Sequence, residues 1–342
     1  MAQAAGHAFG GLRRWAVIAM DGNDMGRQFR LQAKVLAGQD AAMQAWIREM
    51  SASLDACSKA AAIAGVEAGS EAWSKAMREG PGLDKAMIDD PDGGDRSKAV
   101  LPIRPLVVGG DDIVVLCHPR YAFEFVEAAT NAWRATSESE AKQYAAAHGG
   151  AKLWPATGNV LSISAGVLFA PMTMPLHAAI PYAESLLASA KQAGREGGTD
   201  DKASPEAIDW ESVTESILDT PAARRQRELI FRDGDDGDRT IKLTQRPMRM
   251  ERFKKLRSDT GKDTTLAKLP RSIRHELLPN LRQGQDDRKL FYLRLGKHRQ
   301  ELVKLLDESE GPSWRTEKDG SKSTWILDAV SLLEESSRGE ER

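Results

Sequence analysis

Cysteine is nearly absent, with Cys57 and Cys117 the only two in 342 residues. Two thiols cannot make a disulfide framework, and Cys117 ends the apolar run Ile113 to Leu116, so a reducing cytoplasm is the expected compartment. No apolar run approaches the ~18 residues of a membrane-spanning helix, and no membrane partner is expected. The opening MAQAAGHAFGGLRR has neither an apolar core nor a basic start, so no signal peptide is expected. The six histidines, His7, His118, His148, His177, His275 and His298, lack the spacing of a metal site, and no His-Asp dipeptide occurs. Net charge is also small, at −2. Its distribution is uneven, because Lys and Arg outnumber Asp and Glu by 23 to 12 between residues 221 and 305. That basic stretch on an acidic body suggests an anionic partner such as RNA or a ribonucleoprotein; a solvated set of helices accounts for the same composition.

What is present suggests two domains, or three. WAVIAM, residues 15–20, reads as a buried strand ending at Asp21. From Met25 to about Met77 the sequence is Ala-rich and helix-forming, with breaks expected at Gly38 and between Gly65 and Ser70. A polar loop follows over about 79–98, and then two strands at about 103–108 and 112–117. Residues 120–148 read as one amphipathic helix, 159–170 as a strand, 175–195 as a helix ending in glycines, and 207–210 as a short final strand. This order predicts an α+β fold: a ferredoxin-like palm, with an antiparallel sheet backed by helices, over 1–210, carrying a helical insertion at about 25–100. Residues 211–342 read as a smaller, mostly helical domain. It opens with a two-stranded ribbon turning at 233–238, and helices follow at about 249–258, 270–282, 286–308 and 324–336.

The chemistry is concentrated in three stretches. LVVGGDDIVVL places Gly109, Gly110, Asp111 and Asp112 at a hairpin tip, where glycine supplies the positive φ a tight turn needs. A turn needs one carboxylate at most. IAMDGNDMG ends a strand at Asp21; Gly22 allows a bend, and Asn23 or Asp24 can cap the following helix. The backbone N–H groups of such a turn, from Gly22 through Asn23, Asp24, Met25 and Gly26, form a cradle for phosphate. If the first strand lies beside the hairpin, Asp21 converges with Asp111 and Asp112. Hard carboxylate oxygens so clustered suit two Mg²⁺ or Mn²⁺ ions of the kind that phosphoryl transfer employs. In AKQAGREGG, Lys191 and Arg195 lie four apart at a helix end, where they can hold a nucleoside triphosphate. The macrodipole alone also favours cations there.

Taken together, AMDGNDMG, VVGGDDIVVL, SISAGVLFA and AKQAGR resemble the nucleotide-cyclase palm of the large polymerase-like subunit of type III CRISPR effector complexes, over about residues 13–196. LTQRPM and its helices resemble the small helical domain that follows that palm. The resemblance implies a nucleotidyltransferase that joins ATP, or a related nucleotide, into a cyclic oligoadenylate messenger of antiviral defence. Asp21, Asp111 and Asp112 would be its catalytic residues; they and Gly22 would hold the metal ions. The nucleotide would meet Gly22, Asn23, Asp24, Met25, Gly26, Gly109, Gly110, Lys191 and Arg195. Diguanylate cyclases share the palm, but their hairpin reads Gly-Gly-Asp/Glu-Glu-Phe, where this chain has Asp112 and Ile113 in the last two places. The CRISPR subunit usually carries two palms, and this chain has a single Gly-Gly-Asp-Asp, so the expected form is a minimal polymerase or one part of a divided subunit. A homodimer or a second palm subunit would then complete the site. The alternative is a non-catalytic scaffold that binds RNA or neighbouring subunits through its basic 221–305 stretch.

Overall fold

The computed structural model describes residues 14–79, 102–196, 203–214, 219–232, 240–260, 264–282, 291, 293, 295, 299–306 and 313–337. The expected polar loop at 79–98, apart from its first residue, and the ribbon turn at 233–238 lie outside them, as do the first residues of the expected helix at 286–308. Two compact units are distinguished, one within Met1–Ile217 together with Pro247–Glu251, the other within Leu218–Arg246 and Arg252–Ser337.

The first unit contains β1 (Arg14–Gly22), α1 (Met25–Val35), α2 (Asp40–Glu79), β2 (Ile103–Gly109), β3 (Asp112–Cys117), α3 (Ala122–Ala147), β4 (Ile163–Pro171), α4 (Leu176–Arg195), β5 (Ala207–Ser212) and the short β8 (Met248–Arg249). Its sheet has the order β2-β3-β1-β4-β5-β8. The first four strands pair antiparallel in the ferredoxin-like arrangement. β5 departs from the expected antiparallel pattern: it runs parallel to β4, and β8 then pairs antiparallel with β5.

Why is β1 apolar at every position from Trp15 to Met20, rather than alternating? All six are buried, because helices cover both faces of the sheet. Directly opposed residues of antiparallel strands share a face, so Val17, Ala19 and Asp21 lie with Leu168, Gly166 and Ser164. That is the α4 face, since a Cβ on Gly166 would lie 2.3 Å from the Ala183 carbonyl oxygen and the Leu187 nitrogen of α4. Ala16, Ile18 and Met20 take the opposite face with Phe169, whose ring meets Phe123 of α3 edge-on at 5.3 Å.

α2 corrects an expectation. Gly38, with φ of 76°, does separate α1 from α2, but no break occurs between Gly65 and Ser70: one helix runs for 40 residues. The two glycines serve packing instead of punctuation. A Cβ on Gly65 would lie 2.5 Å from the Phe125 ring, and one on Gly69 would lie 2.1 Å from Cδ1 of Ile103. Gly65→Ala is therefore expected to destabilise the protein by about 1–3 kcal/mol, although alanine in an exposed helix would stabilise it by about 1 kcal/mol. Urea unfolding gives the sign directly. Cys57 and Cys117 are both free and buried, and burial pushes the Cys57 thiol up to about 12. No helix among the described residues is long and apolar enough to cross a membrane.

The second unit holds α5 (Pro221–Glu228), β6 (Ile230–Arg232), β7 (Thr240–Lys242), α6 (Met250–Asp259, which begins at the tail of the first unit), α7 (Arg271–Leu281), α8 (Arg299–Leu306), β9 (Trp314–Thr316), β10 (Lys322–Thr324) and α9 (Ile326–Ser337). The expected two-stranded ribbon is part of a four-stranded sheet, β6-β7-β10-β9. LTQRPM has a structural role here. The carboxylate of Asp328, fully buried, accepts hydrogen bonds from Thr244 Oγ1 at 2.6 Å, Gln245 N at 2.7 Å and Arg246 Nε at 2.9 Å. Burial of a charge is tolerated where it is paired and hydrogen-bonded in this way.

Candidate active site

Asp21, the last acidic residue of β1, stands opposite Asp112 of β3 and opposite Ser164 of β4. Gly109 pairs with Asp112, which leaves Gly110 and Asp111 as the two central residues of the hairpin turn. Gly110 carries the positive φ, 60°, at the first central position, as the twist of a two-residue hairpin favours. Asp111 projects from the tip over Gly22: the Gly22 N–H donates to the Asp111 carbonyl at 3.3 Å, and the Asp111 carboxyl hydrogen-bonds Asp21. A Cβ on Gly22 would lie 3.1 Å from the Asp111 Cβ and 3.3 Å from Cζ2 of Trp133 on α3. Any larger residue at 22 would press Asp111 or the indole aside by a few tenths of an ångström.

Lys191 reaches the same point from α4. Its ammonium donates to Asp21 Oδ2 and, at 2.9 Å, to the Gly22 carbonyl. One cation does not neutralise three carboxylates. Burial pushes the Asp111 carboxyl from 3.8 up to about 6, and its hydrogen bond to Asp21 and the charge of Asp21 add to the rise. Burial and Asp21 also raise Asp112, with Lys191 opposing. An acid raised on folding binds its proton more tightly in the native state, so this stabilisation is complete below about pH 4 and is lost as pH climbs through about 6. After allowance for solvent screening, the metal-free protein is expected to lose about 1 kcal/mol across that window. Thermal melts from pH 4 to 7.5 without divalent ions test this, and Asp111→Asn should flatten the profile.

The turn after Asp21 departs from expectation. Neither Asn23 nor Asp24 caps α1 with its side chain. Asn23 is buried beneath the sheet edge, where its amide donates to Ser162 Oγ at 2.8 Å and its oxygen accepts from Ser164 Oγ at 3.1 Å. It is fully engaged there and is not part of the cavity wall. Asp24, the one non-glycine residue with positive φ among those described, at 64°, turns its carboxylate away from the helix. Both its oxygens accept from Ser204, from the N–H at 2.7 Å and from the hydroxyl at 2.8 Å. Short polar side chains tolerate this backbone conformation best. Ser162 Oγ donates to the Ser204 carbonyl at 2.6 Å, so strand-to-helix turn, β4 and the approach to β5 are tied by one polar network.

These elements surround a cavity of about 650 Å³. Asp21, Asp111 and Asp24 supply its carboxylates, and Lys191, Arg195, Arg27 and Arg30 its cations. Gly22, Met25 and Gly26 also line it, at the N-terminus of α1 where the first N–H groups lack intrahelical acceptors. Gly109, Gly110 and Asp112 lie at the hairpin but outside this lining. Arg27, Arg30 and Ser204 were not evident from sequence. The spacing of Arg27 and Arg30, three apart on one helical face directly after AMDGNDMG, was the available signal. Arg27 is partly committed, since it donates to the Ala156 carbonyl and lies 3.7 Å from Asp24.

The donor set suits a hard divalent cation. Asp21 Oδ2 and the Gly22 carbonyl already converge on one positive charge, the Lys191 ammonium, and the raised Asp111 carboxyl marks a shortage of positive charge beside them. Among the described residues no three His, Cys, Asp or Glu side chains form a ready-made metal cage. The fit is therefore to an ion held by few protein oxygens and keeping several waters, as Mg²⁺ does.

A strand-end aspartate, a Gly-Gly-Asp-Asp hairpin and a lysine-bearing helix on a ferredoxin-like sheet define a palm. The family model of the Cas10/Cmr2 second palm domain matches residues 14–199, more than half of the chain, and the chain belongs to that family. Solved structures similar to it include a Csm1-Csm4 cassette in complex with cA4, 12% identical over 95% of this chain and 37% of that one, with a TM-score of 0.48. A Csm1-Csm4 cassette in complex with pppApA is 14% identical over 98% of this chain and 37% of that one, also at 0.48. One in complex with AMPPNP is 12% identical over 98% and 38%, at 0.43. This chain thus spans little more than a third of the length of the structures it resembles. No curated protein matches it.

Proposed function

We propose that this palm is a divalent-cation-dependent nucleotidyltransferase that joins ATP, or a related nucleoside triphosphate, into a cyclic oligonucleotide messenger of CRISPR-type antiviral defence. The observation that carries the reading is the cavity between the β1 end and α4, with carboxylates gathered at the hairpin and cations along α1 and α4. Asp21, Asp111 and the Gly22 carbonyl would hold Mg²⁺ or Mn²⁺, with Asp112 beside them in the register. When bound, the two ions lower the pKa of the attacking 3′-hydroxyl and stabilise charge on the departing pyrophosphate. Arg30 and Arg195 orient the triphosphate tail, and the N-terminus of α1 at Met25 and Gly26 favours its negative charge. Adenine is the base implied by family membership.

One cavity seats one triphosphate, so the acceptor nucleotide is held by another palm, either a second copy of this chain or a different subunit. Specific activity should therefore fall on dilution, in step with dissociation seen by sedimentation; a monomer of constant specific activity excludes the shared site. The overall reading is tested by incubating the protein with each labelled nucleoside triphosphate and Mn²⁺ or Mg²⁺, then identifying products by mass spectrometry. Cyclic oligonucleotides are the expected result, and unchanged substrate under all conditions overturns it. The excess of Lys and Arg over residues 221–305, 23 against 12 acidic residues, favours a second reading as an RNA- or subunit-binding scaffold. That role is compatible with catalysis and is measured separately, by salt-dependent RNA binding.

A further inference from the structure

Lys191 is the residue expected to meet nucleotide phosphates, yet its ammonium is seated elsewhere. It lies on Asp21 Oδ2 and on the Gly22 carbonyl, with the side chain only 15% exposed. Those are two of the oxygens that the proposed function gives to a divalent ion, and an ammonium and a divalent ion on the same oxygens repel. The helix beneath is closely packed at two points. Gly166 brings the α4 backbone against β4, and at Gly194 a Cβ would lie 2.7 Å from the Pro205 carbonyl oxygen, so the end of α4 has no room to shift toward that segment. The flexible four-carbon stem of the lysine is the part of this element that moves the charge with least disturbance of the packing. Inside the cavity the other acceptors are already engaged. Asp24 is taken by Ser204 and Arg27, and Asp111 bonds Asp21. Asp112, at the hairpin but outside the cavity lining, is the nearby carboxylate left to a displaced ammonium, whereas the phosphates of a bound nucleotide would supply several anionic oxygens within the cavity.

We propose that Lys191 is an internal counter-ion that occupies the metal seat of the free protein, and that divalent ion and nucleoside triphosphate bind cooperatively because the ammonium released by the first is received by the second. The inference rests on the metal-dependent reading above and deepens it: the lysine makes metal binding conditional on substrate. Linkage requires the effect to be reciprocal, so the nucleotide must raise metal affinity by the same factor as metal raises nucleotide affinity.

The test is Mn²⁺ binding, followed by electron paramagnetic resonance of free Mn²⁺, with and without a non-hydrolysable β,γ-imido nucleoside triphosphate. The parent protein is compared with Lys191→Met, Lys191→Gln and Lys191→Arg. Without nucleotide, Lys191→Met and Lys191→Gln are expected to bind Mn²⁺ about tenfold more tightly than the parent, and Lys191→Arg no more tightly. The parent should gain about tenfold in Mn²⁺ affinity when nucleotide is added, and the two neutral variants little. Equal or weaker Mn²⁺ binding by both neutral variants overturns the counter-ion role. Absence of Mn²⁺ binding from parent and variants alike, or parent binding that Asp21→Asn leaves unchanged, strikes the metal-dependent reading itself and the counter-ion role with it.

Discussion

Asp21→Ala and Asp111→Ala are each expected to lower metal-dependent nucleotide turnover at least a thousandfold, while the two aspartates part company in stability. Both carboxylates contribute to one cluster that neutralises developing charge in phosphoryl transfer, and such groups act as a unit, so losing either removes most of the effect. Their surroundings differ. Asp111 carries a raised carboxyl pKa because it is half-buried and lies against Asp21. Its removal relieves repulsion, and the metal-free protein should gain about 1 kcal/mol at neutral pH. Asp21 is the partner of Lys191, and its removal leaves the ammonium with the Gly22 carbonyl alone, so Asp21→Ala should melt lower than Asp111→Ala. Turnover by labelled-nucleotide assay and melting by calorimetry on the same preparations separate the two effects. Parental turnover by Asp21→Ala would withdraw the metal assignment.

The second large effect belongs to a residue outside the cavity. Gly166→Val is expected to cost about 3 kcal/mol or more and to abolish turnover together with the fold of this edge. Even the first carbon of a side chain at 166 would lie 2.3 Å from backbone atoms of two α4 residues, Ala183 and Leu187, and 3.0 Å from the carbonyl carbon of Leu186. Backbone cannot rotate aside as a side chain does, so the helix must move bodily. α4 carries Lys191 and Arg195, and a shift of about 1 Å in such groups is enough to uncouple them from their partners. Gly166→Ala isolates the positional part: a helix displaced but still folded should give near-native circular dichroism with turnover reduced. Denaturant midpoints for the alanine and valine variants read the stability cost, and a valine variant as stable as the parent would show that α4 does not touch β4 through this glycine.

The two carboxylate stretches were legible because the backbone there leaves few choices. A two-residue hairpin demands glycine at a fixed offset, and an apolar strand that stops at an acidic residue names its own edge. Register then followed from topology, which brought Asp21 beside Asp112. The continuity of α2 is hidden in the sequence for the opposite reason. Glycine lowers helix propensity locally, but at Gly65 and Gly69 the decisive neighbours are Phe125 and Ile103, remote in sequence. Asn23 and Asp24 have similar capping chemistry, and only the serines at 162, 164 and 204 decide which turns inward and which turns sideways. The cations of α1 are not legible in the sequence because Arg27 and Arg30 match an ordinary solvated helix face until α4 is placed across from them. The spacing of Lys191 marks it as a site residue but does not give its partner, since nothing local distinguishes a lysine aimed at a ligand from one aimed at Asp21.

The central place of β1 bears on how the chain emerges from the ribosome. This strand precedes both of its partners in the chain, is apolar from Trp15 to Met20, and pairs on one side with β3 and on the other with β4. β4 ends at Pro171, and at synthesis rates of about 5–20 residues per second it follows β1 by roughly 7–30 s. Until β3 is made the nascent chain displays an apolar strand with two unpaired edges, and one edge stays unpaired until β4 follows.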